Sequence, residues 1–439
     1  MKIQLYIGSL AVLLGACDGF LDEKPSKIID TPDTLEALDA LLNNSASLNN
    51  YPALPLMLGG DFLSDDAGIT AMAPWEQNLH LWKADPFHVD DMIYDFRDSY
   101  NQIQDANVIL ESLEKIDSDE ASKQEIKGAA LFYRAHAYYN LSTLFLEGPN
   151  LEGSGQRFEI PVRRTTAMVL KSEYADLAIV KQIIREDLEQ AIALLPEQVA
   201  FPFRPGKKAA KALKARVYLN WEEYDAALEI SGELVEGGLG LMDYKDVDAK
   251  RTYPFEQFNP EVLWQCRIGG YNFMYSQSAF QASPDLLALY SKGDLRRSLY
   301  FIDRSSGYVN FRGSYDGTIS LFGGLAADEV YLIYAECLAR AGDLSQAAEV
   351  MNELLVNRHA DGFEALVFED ETSALKTILE ERRKELVFRG LRWSDLRRLN
   401  KDERFKTTLQ RSYEGVLYEL APDSERYVLP VPARERSFQ

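Results

Sequence analysis

The chain is poor in the residues that build metal centres and disulfide frameworks: three cysteines and four histidines in 439 residues. Cys17, Cys266 and Cys337 form no C-x-x-C pair, and His80, His88, His136 and His359 are scattered without ligand spacing. That arithmetic argues against a zinc site or a disulfide scaffold. Positive charge is also scarce, with 47 Lys and Arg against 69 Asp and Glu and a net charge of −22. A polyphosphate would be repelled, so no nucleic-acid partner is expected. Beyond Leu14 no apolar run reaches the roughly 18 residues a membrane helix needs. G-x-S-x-G and H-E-x-x-H are both missing, and Gly153-Ser154-Gly155-Gln156-Arg157 lacks the lysine and hydroxyl of a phosphate loop. The expectation is no catalysis, no cofactor and no metal. Only a carboxylate pair for glycoside cleavage stays open, because its spacing is a property of the fold.

What the chain does have is helical periodicity and aromatic residues, with 46% hydrophobic content, 23 Tyr and 21 Phe. Residues 328–357 read as two helices joined at Ala341-Gly342-Asp343. Ala335 and Ala347 permit close approach, Leu338 and Leu344 fill the seam, Gly342 suits a left-handed helix end, and Asp343 suits a cap. The same small-large spacing occurs at Ala215, Tyr218, Tyr224 and Ala227, and in part at Ala135 and Tyr138. This is the pattern of a tetratricopeptide hairpin. The copies are far apart, which predicts a mostly α fold of helical hairpins interrupted by long insertions.

Apolar stripes predict further helices over 91–115, 126–144 and 177–195, and a final helical pair over 372–400. Two stretches break the rhythm. Residues 51–89 carry Gly59-Gly60, Asp61, Asp65-Asp66, Trp75, Asn78 and Trp82. Residues 237–324 are rich in Tyr, Phe, Gly, Asp and Ser, with strand-like pieces such as 262–268 and a helix expected over 283–290. The tail, 427–432, reads as extended.

At the N-terminus, Lys2 and the apolar run 3–14 read as a short secretory signal ending in Leu14-Gly15-Ala16-Cys17. This resembles a bacterial lipobox. It predicts a signal peptide over 1–16, Cys17 as lipid anchor, a tether over 17–30, and one domain over 31–439 with an irregular insertion at about 237–324. Several acyl chains on Cys17 would hold the protein on a membrane, at about 0.8 kcal/mol per buried methylene.

Five segments, in order, resemble the SusD/RagB family. They are Cys17-Asp18-Gly19-Phe20-Leu21-Asp22 with Pro25; the helix from Leu131 through Arg134-Ala135 and Tyr138 to Leu141; Ser283 to Leu286 with Asp294-Leu295-Arg296; 329–343; and Glu381 to Leu386 with Gly390, Arg392-Trp393 and Asp395. Two features depart from the family pattern: Arg389 stands where an acidic residue is usual, and the tail lacks a downstream Asn-Pro. The resemblance implies a helical α-α superhelix with an insertion, without catalysis. It also implies an outer-membrane, lipid-anchored, surface-exposed protein that captures oligosaccharide or polysaccharide and passes it to a SusC-like TonB-dependent transporter. In some branches the ligand is a peptide, which the acidic chain would also suit.

The candidate ligand-binding residues are Trp75, Asn78, Asp65, Tyr271 and Tyr275. A sugar offers a C–H face and a polar rim, so it needs a flat apolar platform beside an amide. Trp75 with Asn78 supplies that pairing; the alternative is that Trp75 or Trp82 covers the core. Tyr271, Phe273 and Tyr275 alternate, and on an extended segment they share one face, either as a second wall of a sugar cleft or as an inward-facing strand. Asp61, Asp65 and Asp66 suit hydroxyl groups; their spacing matches no regular calcium cage. Glu381, Arg382, Glu385, Arg392 and Asp395 read as exposed or half-buried salt bridges, and Trp393 as a packing anchor. On the sequence alone, Trp75→Ala is expected to weaken glycan binding without unfolding the chain.

Overall fold

The computed structural model describes residues 32–146, 158–167, 173–432 and Arg434. The expected signal peptide, the Cys17 anchor, the tether and the glycine-rich 153–157 stretch lie outside the described residues.

The scaffold is helical, with sixteen α-helices and six two-stranded ladders among the described residues. Helix Tyr94–Lys115 buries Phe96, Ile103, Ala106, Ile109 and Leu113 as one stripe and lies along Glu120–Phe145. The second helix is buried over nearly all of its C-terminal half, because Leu177–Leu194 packs on it as well. Lys207–Asn220 continues the stack and pairs with Tyr224–Glu236.

The seam expected from the small-large spacing is present. Ala215, Tyr218, Leu219 and Ala227 share a buried cluster with Ile333 and Cys337. Tyr224–Glu236 therefore packs directly on Ala327–Arg340, although residues 237–326 separate them in sequence. Arg216 locks that junction: its buried guanidinium grips Glu329 at 2.8 and 2.5 Å and donates to the Gly324 carbonyl. Gly342 takes the left-handed conformation (φ +85°) between Ala327–Arg340 and Leu344–Val356, and Asp343 caps the second helix through Gln346 N–H. Cys266 and Cys337 are both buried and both free thiols.

The intervening segment is stitched to the N-terminal part of the chain by short strands. Arg267–Ile268 pairs in parallel with Asn50–Tyr51, and Gln281–Ala282 pairs antiparallel with Phe62–Leu63. Val262–Trp264 returns to the scaffold beside Leu325–Ala326. This stitching sets residues 269–275 against residues 50–52 and the start of the Tyr94–Lys115 helix.

Several local expectations differ from the structure. Residues 51–89 hold three short helices, Leu54–Leu58, Asp66–Thr70 and Pro74–His80, each too short to leave a full apolar stripe. The helix after Ser283 is a single turn, Pro284–Leu287. A hairpin, Leu409–Tyr413 with Val416–Leu420, follows the last helix. In the Glu381–Asp395 cluster Glu381 and Arg392 are half-buried as expected, but Arg382, Glu385 and Asp395 are buried. Arg382 grips Asp395 at 2.9 Å, and Glu385 lies between Arg296 and Arg358. Arg389, the departure from the family pattern, has its own buried partner, with Asp328 at 2.8 and 2.6 Å. Trp393 is buried and stacks on Tyr427 at 4.7 Å, as a packing anchor should.

Candidate functional site

The first functional geometry lies where the stitched segment meets the first long helix. A cavity of about 220 Å³ opens there between Asn50, Tyr51, Tyr94, Arg97, Asp98, Gly269, Gly270 and Tyr271. Tyr94 is the first residue of the Tyr94–Lys115 helix and is 41% exposed. One face of its ring stacks on buried Tyr271, with centroids 5.7 Å apart and planes 22° from parallel. Arg97 lies over the Tyr94 ring at 4.5 Å and forks onto the Asp98 carboxylate at 2.6 and 2.8 Å. The other Asp98 oxygen accepts from Asn50 Nδ2 at 3.0 Å. An aromatic ring thus stands beside a rim carrying an amide, a guanidinium and a carboxylate.

The platform is held from below. Tyr271 donates to buried Asp95 at 2.6 Å and accepts from the Tyr94 N–H at 3.1 Å. Asp95 also accepts from Leu54 N–H at 2.8 Å. Trp75 meets Tyr271 edge-on at 5.1 Å and packs against Phe87. It is only 9% exposed, so its place is behind the Tyr94–Tyr271 pair rather than on the surface. Asn78, one turn further along the same helix, is half-buried and donates to the Pro86 carbonyl at 3.4 Å.

The alternating tyrosines do not share a face. Residues Asn272–Tyr275 coil as a 3-10 turn instead of running extended, because the strand ends at Ile268 and Gly269-Gly270 follow. Tyr271 and Phe273 turn inward, while Tyr275 is 52% exposed. The Tyr275 hydroxyl rests on Gly270, where a Cβ would lie 2.6 Å from it. Asp65 sits apart from the cavity. It caps Asp66–Thr70 through Gly68 N–H at 2.7 Å and accepts from the Tyr308 hydroxyl at 2.7 Å. Tyr94, Arg97, Asp98 and Asn50 were not among the sequence candidates. The available signal was an aromatic off the buried stripe at a helix start, followed by Arg97-Asp98.

The three N-terminal aspartates do not converge on one point. Asp61 pairs with Arg383 at 2.7 Å, Asp65 is a helix cap, and Asp66 accepts from Glu414 N–H. Three other carboxylates, Glu261, Asp328 and Glu385, do come within 4.8 Å of one another. Arg358 and Arg389 already lie against their oxygens, so guanidinium supplies the positive charge a metal would bring.

Burial pushes the Asp95 carboxyl up to about 6, opposed by its hydrogen bonds from Leu54 and Tyr271. Burial also pushes Glu261 up to about 7, with Arg358 opposing and Asp328 and Glu385 reinforcing. Unfolded carboxyls titrate near 4, so between about pH 4 and 7 the folded chain binds more protons at these two groups than the unfolded one. These two carboxyls therefore contribute stability that is lost as pH rises through that window, while burial keeps His80 and His136 neutral and gives the opposite trend below about pH 6.5. Glu336, where Arg398 and Arg340 outweigh burial and bring it to about 2, opposes the two carboxyls only below pH ~4.5. The slope of stability with pH is the balance of these carboxyls and histidines. Asp95→Asn should remove a loss of on the order of 2 kcal/mol across the window; an unchanged slope would contradict the assignment.

Helical hairpins carry a looped segment, and an aromatic ring with polar neighbours stands where that segment meets the helices. A family model described as starch-binding, associating with outer membrane, matches residues 19–219, and a SusD family model matches residues 327–438. The chain belongs to the SusD/RagB family, a family of carbohydrate-binding, outer-membrane-associated proteins. Comparison with curated proteins returns no match.

Solved structures share the fold. A SusD superfamily protein from Bacteroides thetaiotaomicron superposes with a TM-score of 0.74 at 21% identity, covering 92% of this chain and 98% of that one. A SusD-like carbohydrate-binding protein from Bacteroides vulgatus gives 0.68 at 17% identity, covering 93% and 97%. A laminarin-binding SusD-like protein gives 0.68 at 19% identity, covering 92% and 97%. No helix among the described residues is long and apolar enough to cross a membrane.

Proposed function

We propose that this chain is a cell-surface glycan-binding lipoprotein, anchored to the outer membrane through Cys17, that delivers oligosaccharide to a SusC-like TonB-dependent transporter. The observation that carries the reading is Tyr94: a half-exposed ring, backed by Tyr271 and bordered by Asn50, Arg97 and Asp98. Arg97 covers the ring through an exposed side chain; a pyranose that displaces it can lay its C–H face on Tyr94 while its hydroxyls exchange hydrogen bonds with the rim. The function is binding without chemistry. Membership of a carbohydrate-binding family supports the ligand class, and the laminarin-binding relative makes a β-glucan a natural first probe. Trp75 supports the platform from behind, and Tyr275 rests on Gly270 of the cavity wall.

The test is retardation of the chain from Lys24 onward in native gels cast with different polysaccharides, alongside titration with a peptide digest. Retardation by at least one glycan, nearly insensitive to salt, is expected, because stacking is not screened. Binding to peptides alone, weakening with salt, would replace the glycan reading with peptide capture.

A further inference from the structure

A second, larger cavity, of about 370 Å³, lies away from the Tyr94 platform, between Leu146, Leu177, Lys181, Trp221, Asn400 and Tyr427. Its lining is richer in cations than the chain as a whole. Lys181, Arg397, Arg398, Lys401 and Lys406 line it, against only Glu222 and Asp423, in a protein of net charge −22. Four of these cations are engaged. Arg398 is held by Glu336 and Asp395, Arg397 by the carbonyls of Thr143 and Leu146, Lys401 by Glu222, and Lys406 by Glu403. Lys181 differs. Its ammonium lies over the Trp221 ring at 4.8 Å, and no carboxylate reaches it within ion-pair distance among the described residues.

The neutral groups of the cavity are also donors in need of acceptors. The buried Trp221 indole N–H, a donor only, has no partner. Asn400 is turned so that its Oδ1 accepts from Thr407 N–H at 3.0 Å, which fixes which end of the amide is left over. Asn400 Nδ2 faces the neighbouring Tyr427 hydroxyl, and neither group meets an acceptor beyond that pair. Burying donors unsatisfied costs about 1–3 kcal/mol each. An ammonium, an indole N–H and an amide–hydroxyl pair with no acceptor beyond itself, around one apolar-walled cavity, are complementary to an anion with several acceptor oxygens.

We propose that this cavity is a second ligand site, one that binds a small carboxylate-bearing sugar, a hexuronate, with its carboxylate toward Lys181, Trp221 and Asn400. Leu146, Leu177 and Val428 give the ring an apolar wall, and the cavity exceeds the one at Tyr94 in volume. Burial holds the Lys181 ammonium below its usual range, Glu223 opposing and Lys401 and Arg185 reinforcing, which a bound carboxylate would reverse. This site does not depend on what the Tyr94 platform binds.

The experiment is calorimetric titration of the folded chain with galacturonate and with glucose at constant ionic strength. Saturable galacturonate binding without glucose binding is expected. Lys181→Met should weaken it at least tenfold. Asn400→Asp, isosteric and still able to accept from Thr407, should do the same by placing a carboxylate where a donor stood. Tyr94→Ala should leave it unchanged, which separates this site from the platform. No galacturonate binding, equal binding of glucose, or undiminished binding by folded Lys181→Met and Asn400→Asp would each overturn the proposal.

Discussion

Arg358→Met is expected to destabilise the fold by about 3–5 kcal/mol, the cost of stranding buried charge when one partner is removed. Arg358 is fully buried. It forks onto Glu261 at 2.8 and 2.9 Å, reaches Glu385 at 2.6 Å, and lies over the Tyr244 ring at 4.0 Å. Without it, Glu261, Asp328 and Glu385 face one another within 4.8 Å with only Arg389 and Arg296 nearby. Denaturant unfolding at pH 7 would show the loss as a lowered midpoint. Adding Glu261→Gln should restore part of it, since the two side chains are directly coupled. A loss below about 1 kcal/mol would mean that the network is not a structural keystone, given the usual cost of breaking a buried pair.

The second large effect is expected at Trp75. Because that ring is buried against Tyr271 and Phe87, Trp75→Ala should cost about 3–5 kcal/mol through the cavity it leaves. It should also weaken glycan binding, by loosening the Tyr271 ring on which Tyr94 stacks. This differs from the fold-neutral loss of binding that the sequence alone suggests. A melting temperature within a degree of wild type would contradict the packing role. Trp75→Phe, which keeps an aromatic edge for Tyr271, should recover much of the stability.

The scaffold was legible because its signals are local. Ala335, Gly342, Asp343 and Ala347 lie within a few residues of each other, and each does in the structure what its spacing suggests. The family resemblance was legible for the same reason, in short runs such as Arg134-Ala135 and Glu381 to Leu386. The site was less so, because it is assembled across the chain. Asn50, Tyr94 and Gly269-Gly270 meet only because Arg267–Ile268 pairs with Asn50–Tyr51, and a two-residue parallel strand leaves almost no periodic trace. Tyr271 was found as a candidate, yet its partner Tyr94 was not, since nothing in sequence links positions so far apart. Charge normally marks the surface, so the Glu381–Asp395 cluster reads as exposed or half-buried salt bridges; Glu381 and Arg392 are half-buried, while Arg382, Glu385 and Asp395 lie deeper. Their burial is met by Arg296 and Arg358, which reach Glu385 from separate elements, and by Arg382, which pairs with Asp395 from within the cluster.

The most direct test of the binding account is titration of the retarding glycan into wild-type and Tyr94→Ala chains. Tyr94 is half-exposed, so its removal should leave the melting temperature nearly unchanged. The account predicts an affinity loss of about 1–3 kcal/mol, the range for one aromatic platform by analogy with base stacking. Equal affinity in a folded Tyr94→Ala chain would contradict it and move the glycan site elsewhere on the molecule.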